Sequence, residues 1–107
     1  MSTPSTAGSF VRTLQLTAAP SGQARDIIVR VGLPEPDPTP GGDFRVFIEI
    51  HGFGEPYARH FHGVDELQAF LGGCWLVSRI LPALTPLNSR LTWLDGDDLG
   101  FDQGART

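Results

Sequence analysis

The run Gly63-Val-Asp-Glu-Leu-Gln-Ala-Phe-Leu-Gly-Gly-Cys-Trp-Leu-Val-Ser-Arg-Ile-Leu81 reads as a helix with apolar residues on almost every side. A helix of that kind must be covered on more than one side, and this requirement governs what the remaining residues have to build. Leu67, Phe70, Leu71, Cys74, Val77 and Leu81 recur in steps of three and four and mark the face expected to lie on a sheet. Ala69, Leu76, Ile80 and Ala83 form a second line almost opposite, beside Gly72 and Gly73. Asp65 is placed to cap the first turn, with Gln68 three residues on to return the bond and Val64 before it as a hydrophobic contact. Pro82 removes a helical donor and clashes with the preceding turn, so the helix is expected to end or kink near Ile80 or Leu81.

Strands supply the covering surface. Residues Phe10 to Thr17 alternate so that Phe10, Arg12, Leu14 and Leu16 share a face, and after the turn at Ala19 to Gln23 the same period places Ile27, Val29, Val31 and Leu33 together. Asp43 to His51 gives the cleanest alternation, with Phe44, Val46, Ile48 and Ile50 inward and Phe47 as an outward exception. Tyr57 to His62 follows the turn at Gly52 to Pro56, and Arg90 to Leu94 reads as a short last strand. Between the second and third strands, prolines 34, 36, 38 and 40 cannot donate ladder hydrogen bonds, which predicts a stiff loop. The expected fold is α+β: an antiparallel β-meander of four strands, one long helix packed on the sheet, and a short C-terminal strand. At 107 residues this is a single domain over 10–101, with a disordered tail over 1–9 and a flexible one over 102–107.

Charge narrows the partners. The net charge is −4 and all eight basic residues are arginines scattered from Arg12 to Arg106, which is not the track a nucleic acid requires. Cys74 stands alone, so no intramolecular disulfide forms and a reducing cytoplasm is the expected location. Residues 1–9 lack the basic start and apolar stretch of a secretory signal, and the apolar run is interrupted by Gly72, Gly73, Arg79 and Pro82, so no membrane span is expected.

Few residues suggest chemistry. The spacing of Gly54, His60, His62, Glu66 and Gly73 resembles the first metal-binding motif of cupins, in which two histidines and a glutamate hold one metal in a β-barrel. Here Glu66 falls in the first turn of a capped helix, where a carboxylate favours the macrodipole, and no histidine follows His62 to complete a second motif. Asp95, Asp97, Asp98 and Asp102 do not have calcium-loop spacing and suit a turn. Cys74 lies on an apolar helix face, as a buried inert thiol would, and Ser78 has no histidine and carboxylate at triad spacing.

The helix start Gly63-Val-Asp-Glu-Leu-Gln-Ala-Phe70 and the later Arg90-Leu-Thr-Trp-Leu-Asp-Gly-Asp-Asp-Leu-Gly-Phe101 resemble an uncharacterised family of small bacterial domains. That resemblance implies a fold and no activity. The residues themselves point to a soluble, non-enzymatic interaction or assembly domain without a cofactor. A single sheet cannot cover both sides of one helix, so Gly72, Gly73, Trp75, Leu76 and Ile80 are the expected interface of a homodimer, an unidentified protein being the other partner to consider. The alternative is a cupin-like metal-binding protein, or a metal-dependent small-molecule enzyme, using His60, His62 and Glu66 as ligands.

Overall fold

A computed structural model describes residues 8–38 and 43–101. The elements are β1 (Ser9–Ala18), β2 (Ala24–Gly32), β3 (Glu35–Pro36), β4 (Phe44–His51), β5 (Tyr57–Gly63), α1 (Glu66–Leu84) and β6 (Ser89–Thr92). Ser9 already belongs to β1, while the expected tails at 1–7 and 102–107 lie outside the described residues. All strand pairs are antiparallel: β5 with β4, β4 with β2, β2 with β1, and β1 with β6. The four-strand meander, the helix and the short last strand are therefore all present, in an α+β arrangement.

The proline segment departs from the expected loop. Glu35 and Pro36 pair with Arg45 and Phe44, on the edge of β4 that β2 also uses, because β5 occupies the other edge from Phe44 to Ile50. The four-residue step from Val31 to Glu35 is matched by only three residues, from Ile48 to Arg45, so one extra residue is accommodated as in a β-bulge. Proline is tolerated in so short a piece at the end of a ladder. The same irregularity turns Leu33 out of its expected row, leaving it 53% exposed.

Registers set the inner face in rows. Phe10, Val31, Ile48 and Arg59 form one row across the strands, and Arg12, Val29, Ile50 and Tyr57 the next. Leu14, Leu16, Ile27, Val29, Val31, Val46, Ile48 and Ile50 are buried together with Ala69, Val77 and Leu81 of α1.

The helix sits differently from the expected face. Its buried residues are Ala69, Gly73, Val77 and Leu81, whereas Leu67 and Leu71 are 65% and 56% exposed. Strand side chains explain the rotation. A methyl group added at Gly73 would lie 2.7 Å from Val46 Cγ2, and one at Gly72 would overlap the Phe61 ring. At that level of the helix only glycine lets the backbone approach those two side chains, and Leu67, Leu71 and Trp75 are carried outward. Although 19 residues at a mean hydropathy of 1.4 are long and apolar enough for a bilayer span, the side of α1 formed by Ala69, Gly73, Val77 and Leu81 is buried against strands.

Both helix ends are closed by side chains. The Asp65 carboxylate accepts from the Gln68 N–H at 2.7 Å, and Gln68 Oε1 accepts from the Val64 N–H at 2.7 Å, so the return bond reaches one residue beyond the cap. Val64 itself is 72% exposed and does not make the expected hydrophobic contact. The helix also continues past Pro82 to Leu84. Pro82 stands in the final turn, where a single donor is lost, and Thr85 closes the end: its N–H donates to the carbonyls of Leu81 and Pro82 and its hydroxyl to that of Leu81 at 2.8 Å.

Two substitutions probe this arrangement. Asp65→Ala should lower the unfolding free energy by about 0.5 to 2 kcal/mol in chemical denaturation with topology retained; an unchanged curve would mean the cap contributes nothing. Ile48→Asp puts an unpaired carboxylate at a site with no solvent exposure, and loss of cooperative folding is expected. A cooperatively folded, soluble Ile48→Asp protein would contradict the register.

Candidate functional site

Between β1 and α1 the inner face of the sheet is not fully covered. The helix lies chiefly over β4 and β5, and a cavity of about 590 Å³ opens beside it. Val29 and Val31 are on its β2 side, Phe70, Leu71, Cys74 and Trp75 on its helix side, and Phe10, Arg12 and Phe101 on the third. Phe10 reaches across to Phe70, ring centres 5.4 Å apart and edge to face.

Arg12 is the one charged residue in this lining. It occupies an inward position of β1, and the C-terminal segment folds back over it. Its guanidinium carbon lies 3.7 Å from the Trp93 ring centre and 4.9 Å from that of Phe101, and Nη1 donates to the Leu99 carbonyl at 3.0 Å. A guanidinium set over aromatic faces is held in place by them and keeps N–H groups for acceptors. Gly100 makes the closure feasible: its φ is +81°, and an added methyl would stand 2.5 Å from Arg12 Nη1 and 2.8 Å from Trp93. The hairpin turn before it has Leu94 and Asp95 at positive φ, between Trp93 and Gly96, which exchange backbone hydrogen bonds.

Cys74 lines the same cavity. Burial pushes its thiol above the ordinary range, with the Arg12 charge acting the other way, so it stays protonated at neutral pH and is a poor nucleophile.

The expected interface residues divide. Gly72 and Gly73 face Phe61 and Val46 of the same chain, and Leu76 and Ile80 pack partly on the core. Trp75 remains 52% exposed, in line with Leu67 and Leu71 at four-residue spacing.

The histidines lie on the other face of the sheet, which no described helix covers. His60 packs against Phe47 with the rings tilted by 49° and their centres 4.9 Å apart, and lies 6.4 Å from the His62 ring centre. This contact accounts for the outward phenylalanine. Partial burial and the Arg45 charge hold His60 below the usual imidazole range. His62 Nε2 pairs with Asp37 Oδ2 at 2.9 Å, Arg45 with Glu35 at 2.8 Å, and His51 with Glu49 at 2.9 Å. Glu66 begins α1 instead of joining His60 and His62, and among the described residues no three His, Cys, Asp or Glu side chains are grouped to hold a metal ion. In the aspartate-rich turn, Asp97 pairs with Arg90 at 2.8 Å and Asp98 accepts from the Gly100 N–H at 2.9 Å. Asp102 lies outside the described residues.

Sequence reasoning did not bring Arg12, Trp93 and Phe101 together. The available signal was Arg12 itself, a charge at an inward position of an alternating strand that needs an unusual environment.

Comparison with curated proteins and with solved structures gives no match. The sequence model of a domain of unknown function, DUF6968, matches residues 10–103, so the chain belongs to that family.

Proposed function

We propose that this is a non-enzymatic interaction domain that self-associates as a homodimer through the exposed side of α1. The observation that carries the reading is the stripe Leu67, Leu71 and Trp75, exposed by 65%, 56% and 52% at successive four-residue steps. Soluble domains seldom leave large apolar residues aligned in this way without a partner. Within the interface expected from sequence, Trp75 keeps its place; Gly72, Gly73, Leu76 and Ile80 yield to Leu67 and Leu71 because they already have neighbours in their own chain.

Magnitudes favour a weak pair. Completing the burial of six such side chains, three from each copy, would contribute roughly 5 to 10 kcal/mol, against an association cost of about 4 to 15. Association in the micromolar range fits that balance. A cytoplasmic location goes with this reading, since the lone Cys74 has no disulfide partner.

The metal-binding alternative through His60, His62 and Glu66 has less support, because His62 is paired with Asp37 and Glu66 stands in the first turn of α1, where its charge favours the macrodipole. Elemental analysis of untagged protein should give no stoichiometric zinc, iron, nickel or manganese; about one equivalent, lost in a His60→Ala, His62→Ala variant, would reinstate that alternative.

Sedimentation over a concentration series tests self-association. Wild type should pass from monomer to dimer in the micromolar range, and Leu67→Glu, Leu71→Glu should remain a folded monomer at every concentration. A wild type that stays monomeric at high micromolar concentration would overturn the proposal.

A further inference from the structure

We propose that the cavity between β1 and α1 binds a small amphipathic monocarboxylate, its carboxylate on the edge of the Arg12 guanidinium and its hydrocarbon part along Val31, Phe70 and Trp75. Three observations carry this. A cavity of about 590 Å³ lies within the size range of small-molecule sites, roughly 300 to 1,000 Å³, and such sites combine apolar walls with a few placed polar groups. Here the walls are apolar and the placed group is Arg12. Among the described residues the ion pairs are Arg45 with Glu35, His51 with Glu49, His62 with Asp37, and Arg90 with Asp97, none of which involves Arg12. The guanidinium is instead fixed by Trp93, Phe101 and the Leu99 carbonyl, contacts that orient it without neutralising it.

The class of ligand follows from that environment. A guanidinium is planar and offers parallel N–H groups in its own plane, a geometry that matches the two oxygens of a carboxylate. A phosphate could meet the same fork, but a dianion would have to be desolvated against apolar walls with one positive charge to compensate, in a protein whose net charge is −4. A neutral alcohol would bring no charge to meet the guanidinium. Gly100 completes the site, because any side chain there would push Arg12 from between Trp93 and Phe101.

This inference is separable from self-association. Leu71 and Trp75 border both surfaces, but Leu67 lies outside the cavity lining and Arg12 outside the stripe, so Leu67 and Arg12 variants tell the two apart.

Calorimetric titration with decanoate, below its micelle concentration, tests the proposal, with decanol and decyl phosphate in parallel and the fluorescence of Trp75 and Trp93 as a second readout. Decanoate should bind saturably and at least roughly tenfold more tightly than decanol, the difference expected when a charge-assisted hydrogen-bonded pair is lost. Arg12→Gln should weaken decanoate by a similar factor and leave decanol unchanged. Arg12→Lys, which keeps the charge but not the planar fork, should fall between. If Arg12→Gln does not fold, the wild-type preference and the Arg12→Lys titration decide. Equal binding of decanoate and decanol, tighter binding of decyl phosphate, no saturable binding at all, or an Arg12 variant that folds and binds decanoate as wild type does would each overturn the proposal.

Discussion

The architecture depends on how closely the backbone of α1 approaches Phe61 and Val46. At Gly72 and Gly73 there is no room for a methyl group, and the buried line Ala69, Gly73, Val77, Leu81 runs along the side of the helix that meets the sheet. Where it lies on Ala69 and Gly73, the helix gains contact along the backbone and loses the burial that Leu67 and Leu71 would have contributed. Both consequences are visible: a continuous core beneath α1, and Leu67, Leu71 and Trp75 left in solvent.

The same close approach fixes where the helix stands. Phe61 and Val46 belong to β5 and β4, so α1 is drawn toward that side of the sheet, and the inner face of β1 and β2 must be closed by other means. Phe10 reaches over to Phe70 at one end, while Trp93, Leu99 and Phe101 return across Arg12. What lies between is the cavity. A charged residue in an inner row is tolerable only because aromatic faces and a carbonyl surround it, and the C-terminal segment therefore serves Arg12 as much as it covers the sheet. The outer face of the sheet carries paired charges instead: Arg45 with Glu35 and His51 with Glu49 are partly exposed, a setting in which ion pairs contribute little to stability, while His62 meets an Asp37 carboxylate that is only 7% exposed.

Much of the fold was legible in the sequence because strands alternate with period two. Val46, Ile48 and Ile50 could be placed inward with no knowledge of their neighbours, and Asp65 with Gln68 marked the helix start. Three features were not legible. Periodicity ranks helix faces by hydrophobicity, so it favours Leu67 and Leu71 over Ala69 and Gly73, whereas packing favours whichever side lets the backbone approach; the shape of Phe61 decides, and that is a tertiary fact. The extra residue between Val31 and Glu35 exists only relative to β4, and it exposes Leu33. The stacking of Arg12 joins residues at opposite ends of the chain, which no local pattern can pair. For the candidate site, the sequence marks Cys74 as an apolar-face thiol and Trp75 as part of an interface, but not the cavity that both border.

If α1 is seated by the contact of Gly72 with Phe61, equilibrium unfolding of a double-mutant cycle will show it. In an open helix, replacing glycine with alanine stabilises by about 0.5 to 1 kcal/mol. Here Gly72→Ala should destabilise, since its methyl group meets the Phe61 ring, yet the same change made in a Phe61→Ala background should stabilise. Gly72→Ala that raises stability with Phe61 in place would show that the helix does not rest where this account puts it.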